Sequence, residues 1–505
     1  MKWFVKTKPG RVATRLIILA LVAVIVYWRF FTPKIHTASE ADIASIVPAD
    51  LMKAAPADKD AEDRMVKLVA AIGKYEPRTF GPVITKSKSD DERVKAADGL
   101  WSDGRLAEIL KVFSSGPIHM TSTQISKVGA DSGSSIGETM GDLDKIKQLQ
   151  RALLESAAGY RHTGHAAQAL NSMLAATTIA EKVWDIQGPL SFYMEALSLE
   201  TGAMRAVGDA AQDPRTSPQD CEALLKDIPP APIIDDYLVN SLKNEFVWEK
   251  APRIADPYKD FKETPDESQL DAEEMTSRSD LGFKTSYDAT ETATELGKLF
   301  TAGIENAQKP LSQYKDVGHQ IQLKAITGLP PIPDLSRFKG SSRRMEKFKF
   351  KVKTYNTDNY FGRLLISEEM SDKVLVEMSC RWRALRNAAR VSLASRIYRA
   401  SHGGSLPKTT SDFGPVLGVW PADPVDGQPM KYNTSREVAY SIGQNMKDDG
   451  GQVAGPLSSA KDVGLSLVVL PPSKPFMAAK QAPPGAPPPR FGGPPRGPAG
   501  RGAGR

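Results

Sequence analysis

The residues with the clearest chemical potential lie near the C-terminus, where Asp448-Asp449-Gly450-Gly451 sets two adjacent carboxylates beside two glycines. Hard cations take several oxygen ligands, and a glycine-rich turn can aim backbone carbonyls at the same point as carboxylates. Asp448 and Asp449 are therefore candidate calcium ligands. The plainer reading is a solvated acidic turn after a strand, with Asp423 and Asp426 upstream in a Pro/Gly turn. His162 and His165 flank Gly164 and could share a metal, but no third ligand stands near them and a surface turn is the simpler reading. His119, His319 and His402 are isolated. Ser405-Leu406-Pro407-Lys408 and Ser458-Ser459-Ala460-Lys461 satisfy Ser-x-x-Lys without the partner motifs of penicillin-binding enzymes, and both read as chance. The chain has no Walker loop and no His-Glu-x-x-His. No catalytic or cofactor-binding residue is assigned, although carboxylates distant in sequence could still pair in space. Cys221 and Cys380 are the only cysteines. They could pair once, or serve as two buried thiols, but cannot build a disulfide framework or a four-thiolate metal site.

The framework for any such site begins with a membrane segment. Leu16 to Trp28 is uninterruptedly apolar, extended by Val12 and Ala13 on one side and Phe30 and Phe31 on the other. Val12 to Phe31 would span about 30 Å as a helix, the thickness of the bilayer core. Arg15 and Arg29 can snorkel toward the headgroups, and Tyr27 and Trp28 suit an interfacial belt. The competing reading is a cleaved signal peptide, but His36-Thr37-Ala38 is a poor cleavage site. Lys2, Lys6, Lys8, Arg11 and Arg15 precede the span and hold that end in the cytoplasm. The expectation is a single-pass protein of the inner (cytoplasmic) membrane with its bulk periplasmic or otherwise extracytoplasmic.

At 505 residues, with 41% apolar and 25% charged residues, the composition is ordinary for a globular protein. The formal charge is +6, but seven basic residues and no acid lie in 1–34, and six basic residues and no acid in 471–505, so the body between carries −7. A nucleic-acid-binding body shows the opposite bias, and none is expected here.

Periodicity divides the chain further. After a basic segment (1–11) and the anchor (12–31), residues 32–57 read as a linker. A helical domain follows over 58–255. Helices are expected over Asp58–Tyr75 and near Asp91–Phe113, with Thr121–Gly141 a loop. The clearest helical stretch is Asp142–Ala210, broken at Gly164 and Gly188-Pro189. Ile146, Leu149, Leu153, Ala157 and Tyr160 form one stripe, and Leu190, Met194, Leu197, Met204 and Val207 another. Ser217-Pro218-Gln219-Asp220 is a helix start, with cap, proline and early acid in order. Tyr160, Gly164 and Ala169 match one tetratricopeptide hairpin, but no second copy occurs at a fixed period. Residues 256–345 read as an irregular connection, and Lys347–Tyr355 (KFKFKVKTY) as an exposed strand with lysines on its wet face. Over 346–470 a helix (Ser379–Ser401) leads to a β-hairpin across Asn433–Arg436 and a further strand at Val463–Leu470. The Pro/Gly/Arg-rich tail 471–505 reads as disordered. The expected fold class is thus mainly α: a single transmembrane helix, an antiparallel helical ectodomain, a small C-terminal α+β unit of a helix plus antiparallel strands, and a disordered tail.

Residues 402–451 carry a resemblance. Gly404 and Pro407, then Pro421, Asp423, Pro424, Gly427 and Pro429, then Tyr440, Ser441 and Gly443, then Asp448 to Gly451 follow a recognisable order. It resembles the globular part of the major pseudopilins of type II secretion. The resemblance implies a long helix feeding a small antiparallel sheet, and calcium at the acidic loop. In a pseudopilin the membrane helix leads straight into this part, whereas here several hundred residues intervene. The whole layout is similar to a group of uncharacterised, N-terminally anchored helical bacterial membrane proteins of planctomycetes and related lineages. Leu149, Leu153, Leu154, Gly164, Ala169 and Leu170 fit that group's helical stretch. The group brings no established activity.

The function expected is a structural or protein-interaction component of the bacterial envelope, more plausibly not an enzyme. One alternative is an accessory subunit of a type II secretion or pilus-like system; another is an envelope hydrolase. The expected partners are the membrane and other envelope or secretion proteins. An anionic surface is a further partner, met by the basic tail through Arg490, Arg496, Arg501 and Arg505.

Overall fold

The computed structural model describes residues 32–53, 58–74, 89–120, 135–258, 284–331, 340–453 and 462–469, with positions 20, 333 and 337. The anchor expected over 12–31, apart from Ala20, and the tail 471–505 lie outside the described residues. Among the described residues no helix is long and apolar enough to cross a membrane. The described chain is mainly helical with a small three-stranded antiparallel sheet, as its periodicity predicts.

The stretch expected to be a linker is instead folded onto the body. Strand β1 (Ile35–His36) pairs in parallel with β2 (Tyr287–Asp288), and the Tyr287 amide donates to the Lys34 carbonyl at 2.7 Å. Helix α1 (Glu40–Ile46) starts on a capping box in which Ser39 and Asp42 satisfy each other's backbone amides. Ile43, Val47 and Leu51 are buried in the main core. Three apolar side chains at helical and turn spacing suffice to anchor a short element that its prolines disguise.

Four helices build the first layer: α2 (Lys59–Gly73), α3 (Asp90–Trp101), α4 (Gly104–Ser114) and α5 (Ser135–His162). The single helix expected near Asp91–Phe113 is broken at Ser102-Asp103, where Asp103 caps α4. Part of the expected Thr121–Gly141 loop, from Ser135, belongs to α5. Its predicted stripe of Ile146, Leu149, Leu153, Ala157 and Tyr160 is buried throughout. Helices α6 (Ala166–Val183) and α7 (Leu190–Gln212) follow across the two predicted breaks. Helix α8 (Pro218–Asp227) opens on the predicted Ser217 cap with Pro218 in its first turn and Asp220 completing a capping box. Helix α9 (Asp236–Glu245) runs through a π-helical turn (Phe246–Lys250) into α10 (Ala251–Ala255).

The region expected to be irregular contains two packed helices, α11 (Ala289–Ala307) and α12 (Val317–Ile326). In α11, Ala293, Leu296, Leu299, Phe300 and Ile304 are buried. The expected strand at Lys347–Tyr355 is the second half of helix α13 (Gly340–Tyr355). Alternating lysines suit a strand, but Phe350 and Tyr355 pack with Tyr360 in a satellite cluster only when the chain coils. Helix α14 (Tyr360–Glu368) then leads to α15 (Asp372–Ser401), which starts seven residues before the expected Ser379.

Helix α15 is the axis of the molecule. It packs against α7, α8, α11 and the sheet and is buried on nearly every side. A helix surrounded by protein has no single apolar stripe, which is why its periodicity is weak. After a short helix α16 (Gly414–Leu417), strands β3 (Lys431–Asn433), β4 (Val438–Ser441) and β5 (Val463–Ser466) form an antiparallel sheet in the order β3-β4-β5. The hairpin and the following strand are those the alternation predicts. Gly464 lies so close to β4 that a Cβ would sit 2.4 Å from the Ala439 carbonyl oxygen. On the other side Leu465 packs over Gly208 of α7, where a Cβ would meet it at 2.7 Å. The main core takes in Val425 and Ile442, while Phe413, Ala439 and Leu467 under the sheet form a smaller cluster on Val391 and Ala394 of α15.

Candidate functional site

The acidic loop between β4 and β5 brings Asp448 and Asp449 together with Asp462, which the sequence did not single out. One Asp448 oxygen accepts from the Tyr440 hydroxyl at 2.8 Å and the Gly450 amide at 2.9 Å. These donors, the Gly450 amide foremost, hold the Asp448 carboxyl below the usual carboxylate range. Asp449 accepts from the Asn445 side-chain amide at 2.9 Å. Asp462 is fully buried; its two oxygens accept from the amides of Asp449 at 3.2 Å and Gly451 at 2.8 Å. Burial pushes the Asp462 carboxyl up, and the neighbouring Asp449 and Asp448 add to the rise. Gly450 and Gly451 have φ of 69° and 80°, the left-handed turns that fold the amides inward. Among the described residues no group of three or more His, Cys, Asp or Glu is arranged to hold a metal ion.

Upstream, Asp423 is a buried tie rather than an exposed turn residue. It accepts from the Ser441 hydroxyl at 2.7 Å and from the amides of Val425 at 2.8 Å and Ile442 at 2.9 Å, locking the Pro421–Pro429 turn to the end of β4. His162 and His165 do not converge on one point. The His162 ring lies 3.4 Å from Asp90, while His165 contacts the Thr163 hydroxyl at 2.8 Å and the edge of Tyr160. Cys221 and Cys380 are both free and buried. Gly133-Ser134-Ser135-Ile136-Gly137 fits the Gly-x-Ser-x-Gly pattern of a nucleophile elbow. Ser135 opens α5, and the residues directly before it lie outside the described ones.

Two further constellations are visible only in three dimensions. At the π-helical turn, the Lys250 ammonium lies 2.9 Å from Glu245 and 3.1 Å from Glu369. Glu249 beside them is pushed up to about 8, first by burial and then by the charge of Glu245. Both effects disfavour its charged form. The only signal for it in the sequence is a cluster of acids around one lysine. Deeper in, Asp235 caps α9 and accepts from the Tyr193 hydroxyl at 2.8 Å, the Trp382 indole at 3.1 Å and the Ser379 hydroxyl at 2.5 Å. Arg386 pairs with buried Glu200 at 2.7 Å and lies 5.3 Å from the Trp382 ring centre. These ties hold α7, α9 and α15 in register.

A groove of about 420 Å³ opens between α11, α12 and α14. Its wall carries Glu291, Glu295 and Asp358 against Lys324 and Arg363, with Ile321 at the side. Arg363 is held to α12 by its bonds to the carbonyls of Ala325 and Thr327. Asp358 also pairs with Lys34 at 3.7 Å, so the groove sits beside the docked start of the body. Protein-family models, curated proteins and solved structures were each compared with the chain, and none matches it.

Proposed function

We propose that this chain is a membrane-anchored, extracytoplasmic component of the bacterial envelope that acts by holding and binding other proteins. The reading is carried by the apolar run 12–31 with its basic N-terminal flank. It is supported by the docking of Lys34 to His36 onto β2, which would join an anchor to the body through a rigid connection rather than a loose tether. The mixed-charge groove at that same end is the contact site in this reading. The test is a reporter fused after Arg505, together with alkaline extraction of the membrane fraction. An alkaline phosphatase active outside the cytoplasm, on a chain resisting extraction, is the expected outcome. Cytoplasmic activity, or a chain released freely, would refute it.

A second reading adds calcium at Asp448 and Asp449. It is supported by the left-handed turns at Gly450 and Gly451 beside the two carboxylates, a glycine-rich geometry that can aim oxygens at a hard cation. Binding to the folded state must raise stability by mass action. Millimolar calcium should therefore raise the Tm of the full chain, and Asp449→Asn should abolish the rise. An unchanged Tm excludes the ion.

A secretion or pilus-like role is the third reading. The sequence of long helix α15, Pro421–Pro429 turn and antiparallel sheet β3-β4-β5 supports it, and co-purification with secretion components would be its test.

A further inference from the structure

We propose that helix α13 lies on the membrane surface and binds anionic phospholipid headgroups. The proposal rests on the anchored reading above and adds a second point of contact. Over Gly340–Tyr355 the helix carries Arg343, Arg344, Lys347, Lys349, Lys351 and Lys353 against one acid, Glu346. At 100° per residue, Met345, Phe348 and Val352 fall on one face at i, i+3 and i+7. Met345 is 54% and Phe348 51% exposed, and Val352 is half-buried. Lys353 and Lys349, the latter paired with Glu346 at 2.6 Å, flank this stripe on one side; Lys351, over the Tyr355 ring, flanks it on the other, with Lys347 beyond it toward the body. Buried Phe350 and Thr354 face the body. A short apolar stripe between two rows of lysines is the pattern of a helix lying in the headgroup plane, its apolar residues in the acyl boundary and its ammonium groups on phosphates.

The position of α13 is the independent observation. Its C-terminal end is bonded to Ser286, whose hydroxyl donates to the Thr354 carbonyl at 3.1 Å and also to that of Thr357. The next residue, Tyr287, pairs with Ile35 of β1. An anchor ending at Phe31 leaves three residues to Lys34, at most about 11 Å of extended chain. The C-terminal end of α13 is thus tied to the point where, in that reading, the chain leaves the bilayer, and the proposal lays the helix, about 24 Å long, along the surface from there. Charge complementarity selects anionic over neutral lipid: basic residues near a membrane act within a Debye length, roughly 8 Å at physiological salt.

The test uses the full chain reconstituted in nanodiscs containing brominated acyl chains, with a fluorophore at Met345→Cys. Cys221 and Cys380 are buried and will not label. A second probe at Val419→Cys, a residue 83% exposed on the loop before the sheet, reports the rest of the body. In phosphatidylglycerol discs the probe at 345 should be quenched at least about two-fold more than the probe at 419. In phosphatidylcholine discs, or with Lys347→Glu/Lys351→Glu, that difference should vanish while the chain stays in the disc. Equal quenching at both positions in anionic discs overturns the proposal but leaves the anchor standing. Equal quenching at 345 in anionic and neutral discs overturns the charge recognition. A chain that enters no disc of either lipid overturns both the anchor and the surface helix.

Discussion

The buried ionisable groups have consequences of opposite kinds. Asp235 accepts from the Tyr193, Ser379 and Trp382 side chains, and Arg386 pairs with Glu200, so both tie helices together. Glu249 is different, because Lys250 is shared among several carboxylates and burial dominates. Its pKa is raised from 4.5 in the free group to about 8 in the folded protein. Between these values the folded state binds more protons than the unfolded state. This group's contribution to stability is therefore fully present at low pH and is lost as pH rises toward 8. Glu249→Gln removes the titration and keeps the shape. The variant should match the parent near pH 5 and exceed its Tm at pH 9, as read by calorimetry. A parent and variant with parallel pH profiles would contradict the assignment. None of this was legible beforehand, since burial, not residue type, makes a glutamate hold its proton.

At the scale of elements, legibility followed the number of faces each one buries. Helix α5 buries one stripe, and Ile146 to Tyr160 displayed it at helical spacing. The hairpin of β3 and β4 was equally readable, because strict alternation flanks a polar turn. Helix α15 buries nearly all of itself, including Arg383 and Arg386, so its pattern gave only part of its length. Helix α13 was misread because lysine at every second position mimics a strand whose other face is apolar. Coiling distributes those lysines along two flanks and turns Phe350 inward. At Gly464 sequence could not indicate that β4 and β5 approach too closely for any side chain. Gly464→Ala should cost on the order of 2 kcal/mol through the clash with the Ala439 carbonyl. Chemical denaturation would measure it, and a neutral effect would mean that the strands separate at little cost.

For the molecule as a whole, the C-terminal sheet and the helical layers share helix α15: Phe413, Ala439 and Leu467 cluster on its Val391 and Ala394, and Leu375, Trp382 and Leu385 of the same helix lie in the main core. Leu465 of β5 packs on Gly208 of α7, and β4 and β5 pack on α15. A division into a helical domain over 58–255 and a separate unit over 346–470 would predict two unfolding steps. The shared helix predicts one. Fluorescence from the Trp184 and Trp382 cluster and a probe placed beside Trp420 should report coincident denaturation midpoints. Separated midpoints would restore the two-unit division.

The linear chain by itself determined the mainly helical class, the order of the main helices, the terminal hairpin and an apolar segment of membrane length. Each follows from short-range periodicity and side-chain chemistry, which do not depend on what packs against them. Only the tertiary structure decided that residues 35–51 belong to the body, that Asp462 joins Asp448 and Asp449, and that Glu249 is buried beside Glu245. It also tied the end of α13 through Ser286 to the strand pair of Ile35 and Tyr287. Those are properties of contacts between residues far apart along the chain, and no local pattern encodes which distant neighbour a side chain will meet.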